Sequence, residues 1–122
     1  MLGVCSHSAL SAVEFPKLQS VGGHGMDAAL MDTKIIEIHF PLLESIGTYG
    51  MFIVCSHCKS LKKAYFPKLK TIRMGGLKLA FAYCEALKEI HFPKALEGNK
   101  NCTREELGLE ETDIQAEIIF DL

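Results

Sequence analysis

Three short segments carry residue types that do chemistry. Cys55-Ser56-His57-Cys58 sets two thiols and an imidazole within four positions, and thiolate with imidazole is a donor set that zinc accepts. Cys5 and His7 are the further ligands such a site would draw on. Structural zinc sites normally bring two well-formed ligand pairs at matching spacing. This chain offers one pair and scattered partners. Core packing is therefore the expectation for Cys55 and Cys58, no metal or other cofactor is assigned, and a Cys/His metal-binding module stays as an alternative. The histidines and cysteines would also allow a nucleophile pair on paper, but no nucleophile elbow accompanies them. Val21-Gly22-Gly23-His24-Gly25 has the glycines of a phosphate loop and lacks the Lys-Ser/Thr that contacts phosphate and its metal. Those glycines are expected in a turn, and the chain is read as non-catalytic.

Composition narrows the classes further. The 122 residues are enough for one domain. Apolar residues make up 48% and charged residues 23%, which is globular rather than disordered. The longest apolar runs, Met51–Cys55 and Leu79–Cys84, fall far short of the roughly 18 residues a membrane span needs, so no membrane insertion is expected. Net charge is -2 and the pI is about 6.2. Domains built for nucleic acid usually sit above about pI 9, so nucleic acid is not an expected partner. Five cysteines cannot all pair within one chain, and they are expected to be reduced, small, buried hydrophobes. No basic stretch followed by an apolar run opens the sequence, so it has no secretory signal as it stands.

The elements that must position any site are announced by a repeat. Proline occurs only as Phe15-Pro16, Phe40-Pro41, Phe66-Pro67 and Phe92-Pro93, at intervals of 25, 26 and 26. Aligned on proline, apolar columns emerge: Val13, Ile38, Ala64, Ile90; Leu10, Ile35, Leu61, Leu87; Leu18, Leu43, Leu69, Ala95; and Val21, Ile46, Ile72. His7, Asp32, Cys58 and Cys84 form a further column, as do Gly25, Gly50 and Gly76. Leu87, Ile90 and Phe92 have the offsets of an inward-facing short strand with His91 turned outward. Proline ends each strand because it has no N–H for the ladder, and the glycines are expected to permit the reversal. One such coil cannot bury its apolar face alone. Stacked at about 4.8 Å, coils share an interior and a parallel sheet.

The unit resembles the BspA-like (Treponema-type) leucine-rich repeat. Cys84-Glu85-Ala86-Leu87-Lys88-Glu89-Ile90-His91-Phe92-Pro93 carries the likeness best, followed by Cys58-Lys59-Ser60-Leu61 with Phe66-Pro67, and the match covers residues 5 to 97. The resemblance implies a leucine-rich repeat solenoid: residues 1–97 as about four coils of 25–26 residues with a parallel β-sheet on the concave face. Residues 98–122 are then a C-terminal capping unit. In it, Thr103-Arg104-Glu105-Glu106 has capping-box spacing, a short helix runs to about Glu111, and Ile118-Ile119-Phe120-Asp121 forms a last strand with Asp121 where proline would stand. The first coil lacks an equivalent cap, so Leu2, Val4 and Leu10 would lie near an open edge. The chain is therefore read as the C-terminal piece of a longer array, with self-association through the N-terminal end as the alternative.

In leucine-rich repeats the outward strand positions line the binding surface. Here they are Glu14, His39, Tyr65 and His91; beside them Ala12, Glu37, Lys63 and Glu89; and next Ser11, Ile36, Lys62 and Lys88. A His-Tyr-His row is amphipathic and suits an interface. The expectation is a non-catalytic interaction or adhesion module binding a protein or surface glycan through this face. By resemblance it belongs at a cell surface or secreted as part of a longer protein, although the missing signal leaves the cytoplasm open. A structural spacer with no ligand of its own is the rival reading. Between Ser45 and Cys84 the chain has seven cations and no Asp or Glu, and from Thr103 onward seven acids against Arg104 alone. The basic middle could steer an anionic partner.

Overall fold

Residues 12–110 and 114–122 are described by the computed structural model. They form a parallel β-solenoid of about four turns. Each turn contributes a short strand, and in all but the last of them outward and buried side chains alternate. These strands are β1 (Ala12–Glu14), β3 (Glu37–His39), β5 (Lys63–Tyr65), β7 (Glu89–Phe92) and β8 (Glu117–Phe120), and they lie in that order in one five-stranded sheet. Three two-residue strands, β2 (Ser20–Val21), β4 (Ser45–Ile46) and β6 (Thr71–Ile72), make a second parallel sheet. Nothing in the residue pattern announces this second sheet, because two-residue strands show no alternation.

Register follows the proline spacing. Val13 stands beside Ile38, Ile38 beside Ala64, Ala64 beside Ile90 and Ile90 beside Ile118. The phenylalanine before each proline turns inward, and Phe15, Phe40, Phe66 and Phe92 stack with ring centroids 5.1, 5.1 and 5.3 Å apart. Phe120 extends the column at 5.9 Å. Phe92 pairs with Phe120, so Asp121 follows at the place proline takes in the other turns.

The return arcs are regular turns rather than loose loops. In the first arc alternate N–H groups, those of Gly25, Asp27, Ala29, Met31 and Thr33, donate to the carbonyl three residues back. The N–H groups between them, of His24, Met26, Ala28, Leu30 and Asp32, donate to carbonyls of the next coil. The second arc repeats this from Tyr49 to Cys58. Every second turn places a positive φ at its third residue, as a type II turn requires. These residues are His24, Ala28 and Asp32, then Tyr49, Ile53 and His57, then Gly75, Leu79 and Tyr83.

Four expectations need correction. The left-handed positions fall one residue before Gly25, Gly50 and Gly76, so those glycines are not required by φ. Close approach explains them: a Cβ on Gly76 would lie 2.7 Å from Ile72 Cγ2, and one on Gly50 3.0 Å from the Gly22 carbonyl. Asp32 does not share the buried cysteine column. It is exposed, and Thr33 takes that place beside Cys58, because the first interval is one residue short between Thr33 and Ile35. Ala95 is exposed and Leu96 is buried instead, since a 3-10 turn at Lys94–Leu96 advances the chain after Pro93. The helix, α1 (Arg104–Leu107), ends well before Glu111, because Gly108 adopts φ 86° and closes it. The Thr103 hydroxyl does accept the Glu106 N–H at 3.1 Å. Leu2, Val4, Cys5, His7, Leu10 and Ser11 lie outside the described residues.

Candidate binding face

The outward row of the five-stranded sheet is set by the same register that buries its neighbours. Glu14 stands beside His39, His39 beside Tyr65, Tyr65 beside His91 and His91 beside Ile119. The adjoining row runs Ala12, Glu37, Lys63, Glu89, Glu117. Glu14 is exposed, while His39, Tyr65, His91, Glu37, Lys63 and Glu89 are half-buried by one another. Lys62 and Lys88 are exposed where the chain enters β5 and β7, and their N–H groups donate to the carbonyls of Ile36 and Lys62.

The three rings form one stack. His39 and Tyr65 have centroids 4.5 Å apart at 11°, and Tyr65 and His91 4.8 Å apart at 12°. Parallel rings one coil apart turn their faces to each other and only their edges to solvent. Carboxylates then bind those edges. His39 Nε2 lies 3.0 Å from Glu37 Oε1. His91 Nε2 lies 2.7 Å from Glu89 Oε1, and its Nδ1 lies 2.9 Å from Asp121 Oδ1. A carboxylate at both nitrogens favours the charged form of the ring, which can donate to each. Burial works against that charge at His91, whose side chain is 12% exposed. The bonds to Asp121 and Glu89 outweigh it and hold the ring above the ordinary imidazole value. Glu89 is held below the usual carboxylate value, chiefly by its bond to His91 and also by Lys63.

Sequence reasoning placed His39, Tyr65 and His91 in one row, and the structure brings them together. It missed Glu117, Ile119 and Asp121, which extend the same face. The signal was present in Asp121, since a polar residue at the proline position lies beside the outward row of the turn before it.

The cysteines sit elsewhere. Cys55, Cys58, Cys84 and Cys102 are buried thiols outside any disulfide. The Cys58 thiol donates to the Leu30 carbonyl at 3.0 Å and the Cys84 thiol to the Cys55 carbonyl at 2.9 Å, the same contact one coil apart. A bond from Cys55 lowers Cys58 to about 7 despite its burial, with help from Thr33. Burial pushes Cys84 up, and raises Cys102 to about 12. His57 is at the surface, stacked on Tyr83 at 4.6 Å. Among the described residues, no three His, Cys, Asp or Glu side chains form a metal-holding group.

The basic stretch does not make one patch. Lys62 and Lys63 belong to the five-stranded face, Lys70 and Arg73 flank β6, and Lys78 lies in the following arc. The cations thus ring the coil, and Lys70 pairs with Glu44 at 3.6 Å. No helix among the described residues is long and apolar enough to cross a membrane. Comparison of the chain with family models, with curated proteins and with solved structures gives no match.

Proposed function

We propose that this chain is a leucine-rich repeat unit of the BspA-like type that binds a protein partner through its five-stranded face and performs no chemistry of its own. The family reading is supported by the placement of Phe-Pro at the same point of successive turns, with buried leucine, isoleucine and cysteine columns beside it. Residues 98–122 serve in this reading as the terminal cap. In that unit Asn101 Nδ2 donates to the Ile72 carbonyl at 2.9 Å, and Arg104 donates to the carbonyls of Ile114 and Ala116. An adhesive role at a cell surface, as part of a longer protein, follows from the resemblance.

The observation that carries the binding role is the His39–Tyr65–His91 stack bordered by Glu37, Lys63 and Glu89. These six polar and aromatic groups are carried by rungs of backbone, so little side-chain freedom is left to lose on binding. The same stack favours a protein over a glycan. Sugars pack their C–H faces on exposed ring faces, and here each ring covers the next. What remains outward is ring edges, carboxylates and lysines, which match the polar and aromatic groups of a protein surface.

The test uses two variants, Lys63→Glu and the triple replacement of His39, Tyr65 and His91 by Ser, each checked for an unchanged fold by circular dichroism. Immobilised wild-type chain is expected to retain a protein from cell-surface extract that both variants lose. Recovery of the same proteins on all three supports a structural spacer and overturns the binding role. Retention that disappears after deglycosylation of the extract overturns the choice of protein over glycan.

A further inference from the structure

The second sheet has its own outward row, and it is made of hydroxyls. Ser20 stands beside Ser45 and Ser45 beside Thr71, one coil apart. With Thr48 and Arg73 they line a cleft of about 570 Å³ away from the five-stranded face. Its floor comes from the corner where Gly22 and Gly23 lie against Gly47, so close that a Cβ on Gly47 would sit 2.9 Å from Gly22 C and from Gly23 N. Glycine at 47 therefore keeps this backbone bare.

Among the described residues, no protein acceptor takes the N–H of Gly22, Gly23 or Thr48, because the arcs route their bonds through the neighbouring positions. Arg73 pairs with no carboxylate among the described residues, and no Asp or Glu lines the cleft. A planar guanidinium, a row of hydroxyls and bare amide N–H groups together form a donor array for an anion with several oxygens. We propose that this cleft binds a tetrahedral oxyanion ester, a phosphate or sulfate group carried on a larger ligand. Arg73 supplies the charge, Ser45, Thr48 and Thr71 the hydroxyl bonds, and the Gly22-Gly23 corner the backbone donors. The site is separate from the protein-binding face and does not depend on it.

Titration of nitrogen-15-labelled chain with sodium sulfate, against sodium chloride at equal ionic strength, tests the assignment. Saturable amide shifts are expected at Gly22, Gly23, Gly47 and Thr48. Arg73→Gln is expected to weaken binding about tenfold, the scale of losing one charge-assisted pair, while Lys68→Gln leaves it unchanged. O-phosphoserine and glucosamine 6-sulfate then distinguish the sources, since binding of either one identifies the ester that the cleft takes. Shifts that fail to saturate, that are equal in chloride, or that saturate with unchanged affinity in Arg73→Gln overturn the proposal. Equal affinity for acetate overturns the tetrahedral assignment.

Discussion

His91 is the side chain on which the outward row turns. Held above the ordinary imidazole value of 6.5, it binds its proton more tightly in the folded chain than in the unfolded one. The stability it contributes is complete below that value and is lost as pH rises through the folded-state value. Glu89 works on the other limb. Held below its ordinary 4.5, it contributes above that pH and loses the contribution as pH falls. Thermal melts stepped from about pH 5 to about pH 9 are expected to show a melting temperature that declines on the alkaline side for the wild type. His91→Gln should flatten that decline. Parallel curves for the two chains would show that the Glu89–His91–Asp121 bonds contribute no pH-dependent stability. None of this was legible from His91 alone. The sequence placed it outward, but its second carboxylate comes from Asp121, a residue 30 positions away.

The phenylalanine column is the element that binds the turns together. Phe66 is fully buried between Phe40 and Phe92. Phe66→Ala removes a ring from the middle of the stack and leaves a cavity, a change that typically costs about 3–5 kcal/mol. Against a total of about 5–15 kcal/mol for a domain of this kind, chemical denaturation should show a large fall in midpoint, or no cooperative transition. This column could be read directly from Phe-Pro, because an invariant pair at fixed intervals must fall at one point of each turn. The arcs could not be read so easily. Their inward residues recur in a four-residue rhythm, Met26 and Leu30, Met51 and Cys55, Leu77 and Phe81. That rhythm resembles a helix as much as a chain of turns, and residues as unlike as Ile53, Leu79 and Gly75 take the left-handed places. The misplacement of Asp32 had a simpler cause. Counting back from proline carries a one-residue deletion into every column upstream of it.

At the scale of the molecule each turn touches only its neighbours, so stability should add turn by turn. Duplicating residues 58–83 inserts one coil in register, since Cys58 and Cys84 stand at equivalent points. The longer chain is expected to melt cooperatively at a temperature no lower than the wild type. A duplication of residues 58–70, half a coil, should lower it, because it would bring outward positions into the interior. A lower melting temperature for the full-coil insertion, measured by calorimetry, would argue against turn-by-turn stacking.

The return arcs carry a consequence of their own. Their amides between coils all run one way: the N–H of Tyr49, Met51, Ile53, Cys55 and His57 reaches toward the third coil, and the carbonyls just before them face the first. Peptide dipoles of about 3.5 D, aligned in this way, add as they do along a helix. The backbone of the arcs therefore has a negative end where its carbonyls lead and a positive end toward α1, where the carbonyls of Glu106 and Leu107 accept from Leu79 and Phe81. That positive end meets the acid-rich segment that begins at Thr103, so backbone field and side-chain charge offset one another there.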